Sequence, residues 1–198
     1  MELNKKETPA EDYKFQDEKY NCHYTKSVYY PIWEKCLELL KDKKIVLEIG
    51  CGVGQFANML LDRIDINYIG FDFSEYAILN ALNLNAAKLS HPYRPDNNCY
   101  FYIEDALLSD LYTKKDYDVY ILLEVLEHIK RDKLILAKIP KDKYILFSLP
   151  DFDCDNHIRL FKSKQEIIER YKYLVTIKNI FKFKLAGHIF WLCEGIKK

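Results

Sequence analysis

The sequence predicts an α/β fold, a seven-stranded and mostly parallel sheet with helices on both faces, closed by a C-terminal antiparallel β-hairpin. Three observations predict it. Short β-branched runs alternate five times with segments of helical periodicity, and parallel strands need such crossovers. The 198 residues, 49% hydrophobic and 30% charged, suit one domain with a filled core. Two long aromatic runs then close the chain, joined only by Leu185-Ala186-Gly187, which reads as a hairpin.

Residues 1–27 read as an N-terminal arm or lid, charged and loosely packed over about the first 20. Over residues 28–40 the apolar positions Val28, Ile32, Trp33, Cys36, Leu37, Leu39 and Leu40 recur at helical spacing, with Pro31 tolerated in the first turn. Residues 44–49 then form a short apolar run ending in glycines, a buried strand by composition. A helix over 55–63, a strand over 67–73 and a helix opened by Ser74, with Glu75 favourable at its N-terminus, follow in turn. Residues 90–98, with two prolines and two asparagines, read as a loop. Further strands are expected over 99–103, 117–123 and 143–149, with a helix over 128–139 between the last two and another from Ser163 to about Tyr171. Residues 173–184 and 188–196 are the hairpin strands, whose Phe181, Phe183, Phe190 and Trp191 read as core.

Several function classes fall away early. Lysine plus arginine number 30 and aspartate plus glutamate 30, so bulk electrostatic binding of nucleic acid is not expected. No apolar run approaches the roughly 18 residues of a membrane span, and the charged opening resembles neither a secretory signal nor a transit peptide. A cytoplasmic protein with no membrane partner is therefore expected. Its six cysteines form no C-x-x-C pair, which argues for reduced thiols and against a zinc ribbon or disulfide scaffold.

Chemistry is expected at the carboxyl ends of the parallel strands. The first strand ends Glu48-Ile49-Gly50-Cys51-Gly52-Val53-Gly54, where alternate glycines allow a sharp turn with bare backbone at a helix N-terminus. A dinucleotide fingerprint counted from Gly50 would need glycine at position 55, which is Gln55, and no G-K-[ST] follows for a phosphate loop. The second strand ends on Asp72, the third on Glu104-Asp105-Ala106, and the fourth on Glu124-Val125-Leu126-Glu127-His128.

E-x-G-x-G-x-G, followed in order by these acidic strand ends, resembles the class I S-adenosylmethionine-dependent methyltransferases over about residues 28–197. The resemblance implies a Rossmann-like methyltransferase domain over 28–198. It also implies S-adenosylmethionine as cofactor, contacted by Glu48, Gly50, Gly52, Gly54, Asp72, Phe73, Asp105, Ala106 and Glu124. In that family the glycine turn takes the methionine portion, the second-strand acid the ribose hydroxyls, and the third-strand acid the adenine amino group. The bland alternative is that the glycines only tighten a turn and Asp72 and Asp105 only cap helices.

A second constellation lies beside the first. Glu124, Glu127 and His128 stand at i, i+3 and i+4, on one face if a helix starts there, and His157 arrives after the fifth strand. Two carboxylates and two imidazoles suit a divalent cation such as magnesium, manganese, cobalt or zinc, and His128 or His157 suits a general base. The alternative is scaffold glutamates and a histidine that merely holds its loop. E-x-x-E-H with a later histidine is similar to the metal-dependent 2′-O-methyltransferases of small-RNA 3′ ends, and E-V-L-E-H to ubiquinone-biosynthesis O-methyltransferases. The expected activity is methyl transfer to a small-molecule hydroxyl, with transfer to an RNA 3′ end second and a non-catalytic, cofactor-binding partner subunit third. Expected lids are the arm (Tyr20, His23, Tyr24, Tyr29, Tyr30), residues 92–98 and residues 150–156, and the expected state is monomer or homodimer.

Overall fold

The computed structural model describes residues 1–9, 22–89 and 99–198; Tyr20 of the expected arm and the expected loop over 90–98 lie outside the described residues. Apolar runs form the strands β1 (Ile45–Ile49), β2 (Asn67–Asp72), β3 (Cys99–Ile103), β4 (Val119–Leu122) and β5 (Tyr144–Pro150). The long aromatic runs form β6 (Val175–Leu185) and β7 (His188–Lys197). They make one sheet in the order β3-β2-β1-β4-β5-β7-β6. β1 to β5 are parallel, and β7 runs antiparallel to both β5 and β6. Ala186 (φ 48°) and Gly187 (φ 85°) supply the two left-handed positions that a two-residue hairpin turn needs.

Helices α1 (Tyr30–Leu39), α2 (Gln55–Arg63), α3 (Glu75–Leu84), α4 (Asp132–Lys138) and α5 (Lys164–Tyr171) cover the sheet. On one face Ile32, Trp33, Phe56 and Leu60 from α1 and α2 pack against Val46, Tyr68, Ile121 and Leu146. On the other, Ile135, Leu136, Ile167 and Tyr171 from α4 and α5 pack against Leu47, Ile49, Tyr120 and Phe147. Alternate strand residues feed alternate faces, which is why the inner strands read as unbroken apolar runs. Phe190 and Trp191 are buried and Phe181 and Phe183 half-buried, in keeping with a core role for the hairpin.

Two expectations need correction. The helix foreseen over 128–139 begins only at Asp132, and residues 126–128 form a turn. Backbone bonds there are short-range (His128 N–H to the Val125 carbonyl, 3.1 Å), and the Leu126, Ile129 and Lys130 carbonyls accept from the Arg159 guanidinium instead of from amides four residues on. Glu124, Glu127 and His128 therefore share no helix face. Residues 1–9 are not loose either. The Leu3 amide donates to the Ile158 carbonyl (2.7 Å), Lys5 Nζ to the Cys154 carbonyl (2.8 Å), and Glu7 accepts from the Lys130 amide.

Candidate active site

The glycine turn divides its work. The Gly50 and Cys51 amides both donate to the Phe71 carbonyl (2.8 and 3.0 Å), folding the end of β1 onto β2. Gly50 has φ 71°, and a Cβ there would stand 2.5 Å from Val125 Cγ2. Gly52 (φ 52°) gives its amide to Asp72 Oδ2 at 3.0 Å, while Asp72 Oδ1 accepts from the Ser74 amide at 2.9 Å. Gly54 serves packing: a Cβ there would lie 2.9 Å from both Ala81 Cβ and Asn85 Nδ2 where α2 meets α3. It is not among the residues that line the cavity with Gly50 and Gly52.

Burial sets the charge states here. The Asp72 carboxyl is pushed up to about 6 by burial, against the pull of the Ser74 and Gly52 amides. Glu48, fully enclosed and accepting from the Tyr68 hydroxyl, is pushed up to about 8, again chiefly by burial. Asp105 Oδ1 accepts from the Leu107 amide (2.6 Å), turning the chain just after β3. Glu48, Gly50, Gly52, Asp72, Phe73, Asp105, Ala106 and Glu124 all line one cavity of about 440 Å³. That volume falls in the range of small-molecule sites.

The same cavity reaches the second constellation, with His128 and His157 on its wall. His128 Nδ1 lies 2.9 Å from the Asn156 carbonyl and His157 Nδ1 3.0 Å from the Phe152 carbonyl. A carbonyl only accepts, so each Nδ1 carries a proton, and in the neutral ring the lone pair is then on Nε2. One ligand atom from each of Glu127, His128 and His157 falls within 4.8 Å of the others. Glu127 is fully buried, and neither carboxyl oxygen has a hydrogen-bond partner among the described residues. Burial, then the neighbouring Glu124 carboxyl, holds Glu127 well above the usual carboxylate range.

Two details differ from the sequence reading. Glu124, whose backbone is left-handed (φ 56°), is not one of the trio, although its carboxyl neighbours Glu127; the Ser148 hydroxyl donates to its Oε1 at 2.6 Å. A φ of this sign on a residue with a side chain is uncommon and is concentrated at functional sites. His128 is pushed down to about 4, by burial first and then by His157 and Arg159. Such an imidazole is neutral at pH 7, the form in which it can ligate a metal.

Sequence reasoning missed several wall residues. Glu7 and Thr8 reach the cavity only because the first residues dock along Ile158 and Leu160, a pairing with no local sequence signal. Ser148 had one, since it stands near the end of β5.

The family model described as "methyltransferase domain" matches residues 23–189. No curated protein matches the chain by sequence. Among solved structures, the chain is similar to the methyltransferase domain of bacterial CtHen1-C, at a TM-score of 0.69 and 16% identity over 86% of this chain and 98% of that one. Magnesium protoporphyrin IX methyltransferase from Synechocystis PCC 6803, solved with bound S-adenosylhomocysteine, gives 0.67 at 15% identity, covering 86% and 84%. The N-methyltransferase NodS from Bradyrhizobium japonicum WM9, also with S-adenosylhomocysteine, gives 0.64 at 16% identity, covering 85% and 87%. With glycine turn, strand-end acids, sheet order and family model in agreement, the chain belongs to the class I S-adenosylmethionine-dependent methyltransferases.

Proposed function

We propose that this methyltransferase transfers a methyl group from S-adenosylmethionine to a hydroxyl, with Glu127, His128 and His157 holding a divalent cation beside the acceptor oxygen. One observation carries the reading: a fully buried carboxyl with no hydrogen-bond partner among the described residues, aimed at two imidazoles whose lone pairs sit on Nε2. An orphaned buried carboxyl is costly, and coordination of a cation relieves that cost. Nδ1–H to carbonyl bonds are the usual outer support of ligating histidines.

When bound, the cofactor supplies a methyl group already activated by its sulfonium, and a divalent cation supplies charge that acidifies a hydroxyl. The chain's part is placement. Gly50 and Gly52 admit a ligand against bare backbone, Asp72 keeps lone pairs for the ribose hydroxyls beside its amide bonds, and Asp105 stands at the adenine end. Glu48 faces the methionine end, where an ammonium would favour its ionised form. Trp33 and Phe56 from α1 and α2 line the cavity and limit water.

For the acceptor we favour a small molecule, because cofactor and acceptor share about 440 Å³. The terminal ribose of an RNA is the second reading, favoured by the trio, since a vicinal diol offers a cation two oxygens. The setting we propose is cytosolic: the six cysteines are all free, and no helix among the described residues is long and apolar enough to cross a membrane.

The test is transfer of labelled methyl to a panel of small phenols, alcohols and amines and to a short RNA, with its 3′-deoxy and 2′-O-methyl forms as controls. Each is run with EDTA and with manganese added back. Manganese-dependent labelling of an alcohol or phenol is the expected result, and labelling of the RNA, lost in both controls, selects the second reading. Labelling of amines alone, or labelling unaffected by EDTA, contradicts the metal-assisted hydroxyl reading.

A further inference from the structure

Arg159 is 1% exposed and lies two residues beyond His157. A buried guanidinium beside a buried carboxylate ordinarily pairs with it, often through two parallel bonds. Arg159 does not pair with Glu127. Its Nη1 donates to the Leu126 and Ile129 carbonyls (2.6 Å to the latter) and its Nη2 to the Lys130 carbonyl (3.2 Å). Those three carbonyls flank His128 on both sides. Only looser contacts reach acids, to Glu2 at 3.4 Å and to Asp132 at 3.5 Å. One residue earlier, the Ile158 amide donates to the Glu127 carbonyl at 2.9 Å. The segment carrying His157 is thus fastened to the turn carrying Glu127 and His128 at successive residues.

We infer that Arg159 is a positioning residue that gathers the carbonyls of the 126–130 turn and sets His128 against His157. The inference rests on the metal reading above for its purpose, but not for its geometry. Without Arg159, the Leu126, Ile129 and Lys130 carbonyls lose the cation that gathers them, while the Lys130 amide stays with Glu7, and the His128 ring leaves the Asn156 carbonyl. A lysine keeps the charge but offers no planar fork to reach three carbonyls. Arg170 makes the comparator: its Nε and Nη2 bind Asp132 at 2.7 and 2.9 Å, and among the described residues it makes no hydrogen bond to the turn's carbonyls.

Arg159→Met, Arg159→Lys and Arg170→Met are compared with the wild-type chain in two readouts, once far-UV dichroism shows cooperative melting. Imidazole ¹⁵N NMR of the metal-free proteins at fixed pH reads the tautomer of His128, and titration with cobalt(II), followed by visible absorption, reads the trio. Both Arg159 variants are expected to lose the Nδ1–H form of His128 and to bind cobalt 10- to 100-fold more weakly. Arg170→Met is expected to melt earlier while keeping both signals. Wild-type signals in Arg159→Lys, or equal losses in Arg170→Met, overturn the inference. If Arg159→Met does not fold, Arg159→Lys decides. A wild-type chain that binds no cobalt while the Arg159 variants lose the tautomer refutes the metal reading and leaves the positioning role standing.

Discussion

Glu48 shows how far a single residue's chemistry departs from its sequence appearance. In the sequence it is one acid before a glycine turn; in the fold it is 3% exposed, bonded to the Tyr68 hydroxyl and shifted from 4.5 to about 8. A carboxyl raised on folding binds its proton more tightly in the native state. Its contribution is therefore complete below about 4.5 and is lost as pH climbs to about 8. Urea unfolding is expected to show stability falling across that window, with a limiting slope of about 1.4 kcal/mol per pH unit from this group, and Glu48→Gln is expected to flatten it. The shift itself was not legible, because it comes from neighbours on β2 and α1 that enclose the side chain. Glu127, by contrast, was legible as a candidate ligand from its spacing to His128, although for the wrong geometric reason. Glu127→Gln is expected to abolish any rise in melting temperature on adding manganese while leaving that produced by S-adenosylhomocysteine.

Among the elements, strands and helices follow the sequence closely because each is set by local pattern. Ser74 and Ser163 cap α3 and α5, accepting from the Ala77 and Glu166 amides at 3.3 Å each. Ser163→Ala is expected to cost about 1 kcal/mol in thermal or chemical unfolding. The 126–128 turn broke the pattern. Its residues carry helical periodicity, yet the partners that keep it from coiling stand some thirty positions later in the chain, at Ile158 and Arg159. Long-range bonds of this kind leave no mark in a local window. Gly54 is the converse case, a motif glycine whose requirement is the junction of α2 with α3. Gly54→Ala is expected to destabilise by about 1–3 kcal/mol, through overpacking at Ala81 and Asn85 and a strained φ of 74°. That loss would appear without any ligand present.

For the molecule as a whole, sheet order makes the site. The strand sequence reverses between β1 and β4, so the glycine turn and the Glu124–His128 segment leave adjacent strands at the same edge. The first residues add a wall that strand alternation alone did not foretell, tying Glu7 to the turn and Lys5 to the segment before His157. A ligand that binds only the folded state adds about 2.7 kcal/mol at a hundredfold excess over Kd. S-adenosylhomocysteine is expected to stabilise the chain in this way, and Asp72→Asn to weaken that effect in the same melting assay. The most direct measurement of the whole account is anomalous diffraction from a crystal of the chain grown with S-adenosylhomocysteine and manganese. The nucleoside ribose is expected on Asp72, and one manganese peak is expected between Glu127, His128 and His157, facing the sulfur. Nucleoside density elsewhere, or a trio bridged by ordered water with no anomalous signal, would contradict it.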